Sequence, residues 1–344
     1  MISIKEVTEK QIWENFNLKS KKPSFLQSWA WGEFQKSLDR EIFRLGVYES
    51  DDLVGICLVI EEKAKTASFF YAPAGPVLSN WDKEPLDSLL RFLRSKARER
   101  NLSFLRLDPR KIEKKDEQLL FKAGFLTAPE YVQPPCSALI DLYQSEQEIL
   151  AKMATTTRYN IGASTRKNVK IREGGKEEVS IFIEFLKQTS KKHYLTLPGE
   201  PDYHKKQFDA LSQEGLMKLF IAGYQGVPLA AALVVFYGDT AYYLHAANSY
   251  QQSKLRAAYP LVWHSILAGK TLGLKKFDFW GIAETDDPKH SWAGITAFKL
   301  SFGAEREHYQ LPYDLPLKVY YRLVRLIETS RKPLRKLLKF VRKG

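Results

Sequence analysis

Cysteine is nearly missing from this chain: 344 residues carry two, Cys57 and Cys136. Neither stands in a C-x-x-C pair or at a ligand spacing from histidine, which excludes a disulfide framework and a structural zinc site and predicts two buried thiols. Histidine is sparse too, and His193, His245, His264 and His290 are scattered without metal-ligand spacing, so no metal and no cofactor is expected. No Ser-His-Asp arrangement can be assembled, which argues against a covalent intermediate. No run of about 18 apolar residues occurs, which excludes a membrane-spanning helix. The opening Met1-Ile-Ser-Ile-Lys-Glu-Val-Thr-Glu-Lys10 lacks the charged-then-apolar layout of a secretory signal, and a cytoplasmic protein is expected.

Aromatic residues, by contrast, are plentiful. Seven Trp, 17 Tyr and 20 Phe within a hydrophobic content of 44% describe a well-packed globular chain, long enough for two domains. The net charge of +13 is uneven: residues 315–344 hold ten basic side chains and one acid, Glu328, a surplus of nine. Val319, Leu323, Leu326 and Ile327, then Leu334, Leu337, Leu338 and Val341, recur at helical spacing opposite those charges. Two basic amphipathic helices broken at Pro333 are predicted, docked on the body by the apolar stripe or drawn to anionic lipid or RNA.

The chain repeats one pattern. Leu45–Ile60 and Phe220–Val235 each read as strand, tight turn, strand. Ala67–Tyr71 and Thr240–Leu244 supply a third strand, and Leu86–Arg98 and Tyr259–Leu272 a helix. A fourth strand follows, Ser103–Leu107 or Lys276–Trp280 (the apolar run reaching Ile282), then a last helix ending at a glycine turn, Leu119–Phe125 or Ala297–Gly303. The order β-β-β-α-β-α in both halves predicts an α/β (α+β) protein of duplicated units with mixed sheets. One such unit resembles the acyl-CoA N-acetyltransferase (GNAT) fold. That fold binds the CoA pyrophosphate on backbone N–H groups of a Gly-rich loop at a helix start. Here the matching segment is Gln252-Ser-Lys-Leu-Arg-Ala257, with Leu255 in the glycine position, so a CoA site is not expected.

Five segments, in order, carry a closer resemblance. They are Phe25-Leu-Gln-Ser-Trp-Ala-Trp-Gly-Glu-Phe-Gln-Lys36, Tyr71-Ala-Pro-Ala-Gly-Pro76, Leu105-Arg-Leu-Asp-Pro109, Met153-Ala-Thr-Thr-Thr-Arg-Tyr-Asn-Ile161, and the block from Asp278-Phe-Trp-Gly281 to Phe298-Lys-Leu-Ser-Phe-Gly303. Together they resemble the FemABX family of peptidoglycan-bridge peptidyltransferases, in its compact form without a coiled-coil arm. The resemblance implies two tandem GNAT-like domains, 1–147 and 148–306, with 307–344 returning to the first as a basic helical tail. It also implies transfer of an amino acid from aminoacyl-tRNA to the stem peptide of UDP-MurNAc-pentapeptide or a lipid-linked peptidoglycan precursor, by a monomer with peripheral contact to an anionic membrane.

Residue by residue, the resemblance places Lys36 on the precursor's diphosphate, where a compact cation with three rotatable donors is suited. Lys299, with the Phe298–Lys299 peptide, would face the oxygen that gains charge when an amine attacks the ester. Asp108, a strand-end acid before Pro109, is either a turn former or the acceptor of the amine's proton; the acids Glu284, Asp286 and Asp287 are alternatives. Tyr203, Tyr243 and Tyr259 are expected along the precursor channel with Trp31 and Thr196, and Arg256 is a second phosphate ligand. After Thr196 the sequence Leu197-Pro198-Gly199 departs from members that carry an arginine there. A tRNA-dependent aminoacyltransferase acting on protein N-termini, and a non-enzymatic RNA- or membrane-binding protein, are the alternatives.

Overall fold

The hairpins dictate the frame. In the computed structural model, which describes residues 1–64, 66–193, 199, 200 and 202–330 (backbone alone at 191–193), both predicted hairpins close on two-residue loops. In the second, Gln225 and Gly226 both take positive φ, as a turn matched to strand twist requires. The chain divides into two units, Met1–Pro135 with the segment from Tyr309 onward, and Cys136–His308.

The first unit contains β1 (Ile2–Glu6), α1 (Lys10–Lys19), α2 (Trp29–Ser37), β2 (Ile42–Glu49), β3 (Asp52–Lys63), β4 (Ser68–Pro73), β5 (Val77–Leu78), α3 (Lys83–Glu99), β6 (Phe104–Asp108), α4 (Lys114–Lys122) and β7 (Leu126–Thr127). The second contains β8 (Cys136–Asp141), α5 (Glu146–Lys152), α6 (Thr155–Arg166), β9 (Lys170–Gly174), α7 (Val179–His193), α8 (Tyr203–Ser212), β10 (Met217–Tyr224), β11 (Val227–Tyr237), β12 (Thr240–Asn248), α9 (Ala258–Thr271), β13 (Lys276–Asp278), α10 (Ala293–Leu300) and β14 (Glu305–His308). β15 (Tyr313–Pro316) and a helix over 321–330 return to the first unit.

Each unit is built on one mixed sheet. The first runs β1-β2-β3-β4-β6-β15-β7, with β5 beside β3; the second runs β14-β8-β13-β12-β11-β10-β9. Among the described strands, β4 with β6 and β12 with β13 are the parallel pairs, one per sheet. The central strands are buried on both faces, so they read as continuous apolar runs. α3 turns Leu86, Leu89, Leu90, Leu93 and Ala97 inward at helical spacing, and α9 does the same with Leu261, Val262, Ser265 and Ile266.

The expected boundary near residue 147 moves to Pro135. The reason is pairing: β8 lies between β13 and β14, so Cys136–Asp141 belongs to the second sheet. Reciprocally, β15 fills the gap between β6 and β7 in the first. Strand β13 stops at Asp278, short of the predicted Ile282, because an Asp278 carboxylate oxygen accepts the Trp280 N–H (2.7 Å) and Trp280 turns to φ 59°.

The tail helix also differs from expectation. Its buried face carries Tyr321, Val324 and Glu328, while Leu323 and Leu326 face outward. A polar network sets this orientation. Arg106, beside the stacked rings of Phe69 and Phe104, donates two 2.7 Å hydrogen bonds to Asp314 and one of 3.0 Å to Glu328; the Tyr321 hydroxyl donates to Asp314 at 2.7 Å. A buried guanidinium requires those acids, and they fix the helix more firmly than its leucines do. The second predicted basic helix, past Pro333, lies outside the described residues.

Candidate active site

Lys299 sits in the last turn of α10, 8% exposed, its ammonium directed at the carboxyl end of β13. It donates to the carbonyls of Phe279 at 2.7 Å, Gly281 at 2.9 Å and Trp280 at 3.4 Å. Burial pushes its pKa down to about 8, with Asp278 pulling the other way. Asp278 is buried and held by the Ser137 hydroxyl. The site thus pairs a partly desolvated cation with a tightly turned strand end. Two of the three ammonium hydrogens are committed to short bonds, and the third makes only the long contact to Trp280.

The Phe298–Lys299 peptide does not serve as expected. Its N–H lies past the first turn of α10, where helical bonding consumes backbone donors, and the Phe298 carbonyl accepts the Ser301 hydroxyl at 2.7 Å. The Phe298 ring packs edge-on to Tyr259 and Phe302, each at 5.2 Å. Tyr259, near the start of α9, also stacks on Phe302. Tyr243 is a core residue against Phe277 and Phe279, its hydroxyl pKa raised by burial. Arg256 is exposed, in a left-handed conformation just before α9; its side chain has no hydrogen-bond or ion-pair partner among the described residues. A cation beside a helix N-terminus favours an anion there. Leu255 packs against the core, so the segment that cradles pyrophosphate in an acetyltransferase is here pinned down by a side chain.

Tyr203 opens α8, half-buried, its ring edge-on to His204 at 5.2 Å; Thr196 lies outside the described residues. The other predicted residues belong to the first unit. Lys36 is an exposed residue in the last turn of α2, 3.2 Å from Glu33. Trp31 is buried between Phe25 and Phe34, its indole N–H without a hydrogen-bond partner among the described residues. Asp108 ends β6, 2% exposed, accepting the Tyr71 hydroxyl at 3.0 Å. Burial lifts its carboxyl to about 6, against the lowering influence of Arg110, Tyr71 and Arg106.

The FemAB family model matches residues 8–122, 121–225 and 205–329. The chain belongs to the FemAB family. Among curated FemAB relatives, the lipid II:glycine glycyltransferase of Staphylococcus haemolyticus is 20% identical over 356 residues, covering 81% of this chain and 84% of the relative. Among solved structures, FemX superposes with a TM-score of 0.83 at 18% identity, covering 95% of this chain and all of FemX. A tandem GNAT protein from the clavulanic acid biosynthesis pathway superposes at 0.59 with 8% identity, covering 92% and 99%. The fold of this FemAB protein is accordingly two tandem GNAT-like units.

Sequence reasoning missed two features of the second unit. The first is the carbonyl cradle at 279–281; its signal was Asp278, one charged residue between Phe277 and Phe279 in a buried run. The second is a histidine pair. His204 on α8 and His245 on β12 stand 4.8 Å apart, and His245 meets the Gln207 amide oxygen at 2.9 Å. Both ring nitrogens of His204 are buried without a hydrogen-bond partner among the described residues, and burial holds its pKa at about 4. His245 is held well below its ordinary value by burial, by His204 and by Lys299. Forty residues of sequence separate the two, and no local pattern joins them.

Proposed function

We propose that this FemAB protein is an aminoacyltransferase of peptidoglycan-bridge assembly. It would move an amino acid from aminoacyl-tRNA to an amine of the stem peptide of a nucleotide- or lipid-linked precursor. The observation that carries the reading is the buried Lys299 ammonium at the end of β13, in a chain whose relatives are named for glycine transfer on lipid II.

In the proposed reaction the acceptor amine attacks the ester carbonyl joining amino acid to ribose. A C–N bond forms, the C–O bond to ribose breaks, and the amine's proton leaves as the ribose hydroxyl is released. Charge on the carbonyl oxygen peaks between these events. Lys299 keeps its short bonds to Phe279 and Gly281 and turns to that oxygen the hydrogen that now makes the 3.4 Å N···O contact with the Trp280 carbonyl, at the loss of a weak contact. Asp108, with its pKa raised toward neutrality, is the proposed proton acceptor. Arg256 and Lys36 are the proposed phosphate contacts, and Tyr203, Tyr259, Trp31 and Thr196 the proposed channel. A lipid-linked acceptor would bring the protein to the membrane surface.

The test is an acceptor competition. Purified protein receives radiolabelled aminoacyl-tRNA with lipid II, with UDP-MurNAc-pentapeptide, or with a peptide offering only an N-terminal amine. Label on either precursor is expected; label confined to the N-terminal peptide would move the enzyme to the protein-modifying class.

A further inference from the structure

The outward face of the tail helix has no use in the fold. Val319 is 92% exposed, Leu323 58% and Leu326 65%, with Tyr320 also exposed beside them. A spacing of three residues puts Leu323 and Leu326 on one side of the helix, opposite the buried Tyr321, Val324 and Glu328, and Val319 stands exposed in the turn that leads into it. Three large aliphatic side chains exposed together, two on an anchored helix and one in the turn before it, are a costly surface to leave wet. Arg322 flanks the stripe, exposed and with no partner among the described residues, while Lys318 and Arg325 reach backbone carbonyls of Asn101 and Thr127 at the helix's edges. Glu328, the single acid over 315–344, is turned inward to Arg106 and neutralises nothing on this face.

We infer that this face is a docking surface for an anionic lipid bilayer, Val319, Leu323 and Leu326 entering the acyl boundary while Arg322 and its basic neighbours meet phosphate headgroups. The inference extends the reading above, in which a lipid-linked acceptor is one of the substrates. Charge selects the occupant. A second copy laid on the same face would bring one set of basic side chains against another, and Glu328 is turned away to Arg106. An RNA backbone would satisfy the arginines and leave three aliphatic side chains in water. A bilayer with anionic headgroups takes both, as interfacial helices do. The burial of Tyr321 and Val324 and the Arg106–Asp314–Glu328 network hold the helix against its own unit, so the stripe is presented ready-made instead of forming on contact.

Flotation of the full-length protein with vesicles tests this directly. Wild type is expected to float with phosphatidylglycerol vesicles and not with phosphatidylcholine vesicles. Leu323→Glu with Leu326→Glu should lower the partition by about tenfold or more at an unchanged melting temperature, since neither side chain is buried. Arg322→Gln should lower it about fivefold, the equivalent of ~1 kcal/mol for one basic residue at such a surface. Vesicle binding is read without turnover, and transfer to UDP-MurNAc-pentapeptide should be the same in all variants, so loss of docking and loss of the proposed activity are separate results. Three outcomes overturn the inference. Flotation of the double variant equal to wild type is one, and a chain ending at Ser330 that no longer floats would then assign lipid binding to residues 331–344. Lipid-free dimerisation that the leucine substitutions abolish is the second. Retention on RNA through Arg322 without vesicle binding is the third.

Discussion

The two units repeat one architecture and differ where it matters for chemistry. Each ends its last parallel strand on a buried aspartate, Asp108 on β6 and Asp278 on β13. Each then forms a helix that stops near a positive-φ glycine, Gly124 or Gly303. Four residues before the glycine stands Leu120 in the first unit and Lys299 in the second. Leu120 is wholly buried in an apolar cluster; Lys299 occupies the corresponding place with its amine bonded to strand-end carbonyls. Two copies of a scaffold thus separate two tasks. One position serves packing in the first unit and holds a low-pKa cation in the second.

That contrast breaks most sharply at its centre. Lys299→Met should reduce kcat by roughly 10²-fold or more with little change in acceptor KM, the usual size of a lost oxyanion donor. Leu120→Ala should do the reverse, lowering stability by about 2–5 kcal/mol and leaving the rate per folded molecule intact. Steady-state kinetics beside urea melts of both variants decides the matter, and near-wild-type turnover of Lys299→Met ends the catalytic assignment.

The next effect concerns closure of the first unit. Asp314→Ala leaves Arg106 buried beside a single remaining acid, and a loss of roughly 3–5 kcal/mol is expected on denaturant unfolding. A loss below 1 kcal/mol would mean that water reaches the guanidinium.

Lys299 and Asp108 can be separated by pH. An active Lys299 must be protonated, so the rate should fall as pH rises through about 8. Its folded pKa lies below the ordinary 10.5, so the native state sheds the proton first and stability should rise between about pH 8 and 10.5. Asp108 is shifted upward, from 3.8 to about 6. The native state therefore holds its proton longer, and that contribution to stability falls as pH rises from 3.8 to about 6. If Asp108 is the base, kcat/KM climbs through about 6, and Asp108→Asn removes that limb while sparing the alkaline one. An unchanged profile in Asp108→Asn would return the residue to a structural role, since an asparagine oxygen can still accept the Tyr71 hydroxyl.

The smallest expected change is at the surface. Lys36→Ala should raise KM for a diphosphate-bearing precursor roughly tenfold and alter stability by no more than about 0.5 kcal/mol, the scale of an exposed i,i+3 pair with Glu33. Equal losses with a bare pentapeptide acceptor would show that the lysine does not read phosphate.

The repeat was legible in the sequence because its signals are local. Gln225-Gly226 demands a hairpin, the apolar spacing from Leu86 to Ala97 demands a helix, and Leu255 displaces the glycine that CoA needs. What escaped was non-local. Nothing near Cys136 or Tyr313 announces which sheet each strand will join, because short strands are placed by partners far along the chain. The outward turn of Leu323 and Leu326 escaped for a related reason: hydrophobic spacing locates a stripe but not its direction, which Arg106 and Asp314 decide from opposite ends of the sequence. Tyr243 and Phe298 occupy the positions that the resemblance assigns to channel and catalysis, and both rings are packed against aromatic neighbours.

The placement of β15 has a consequence for biosynthesis. Arg106 and Asp314 are 208 residues apart, so a ribosome that has finished β6 and β7 has not begun the strand that joins them. The second unit, contiguous from Cys136 to His308, can close as soon as it emerges. The first begins earlier and finishes later, with two strand edges open throughout. Translation order and completion order are inverted, and the exposed edges of β6 and β7 are where a nascent chain would need protection by a chaperone.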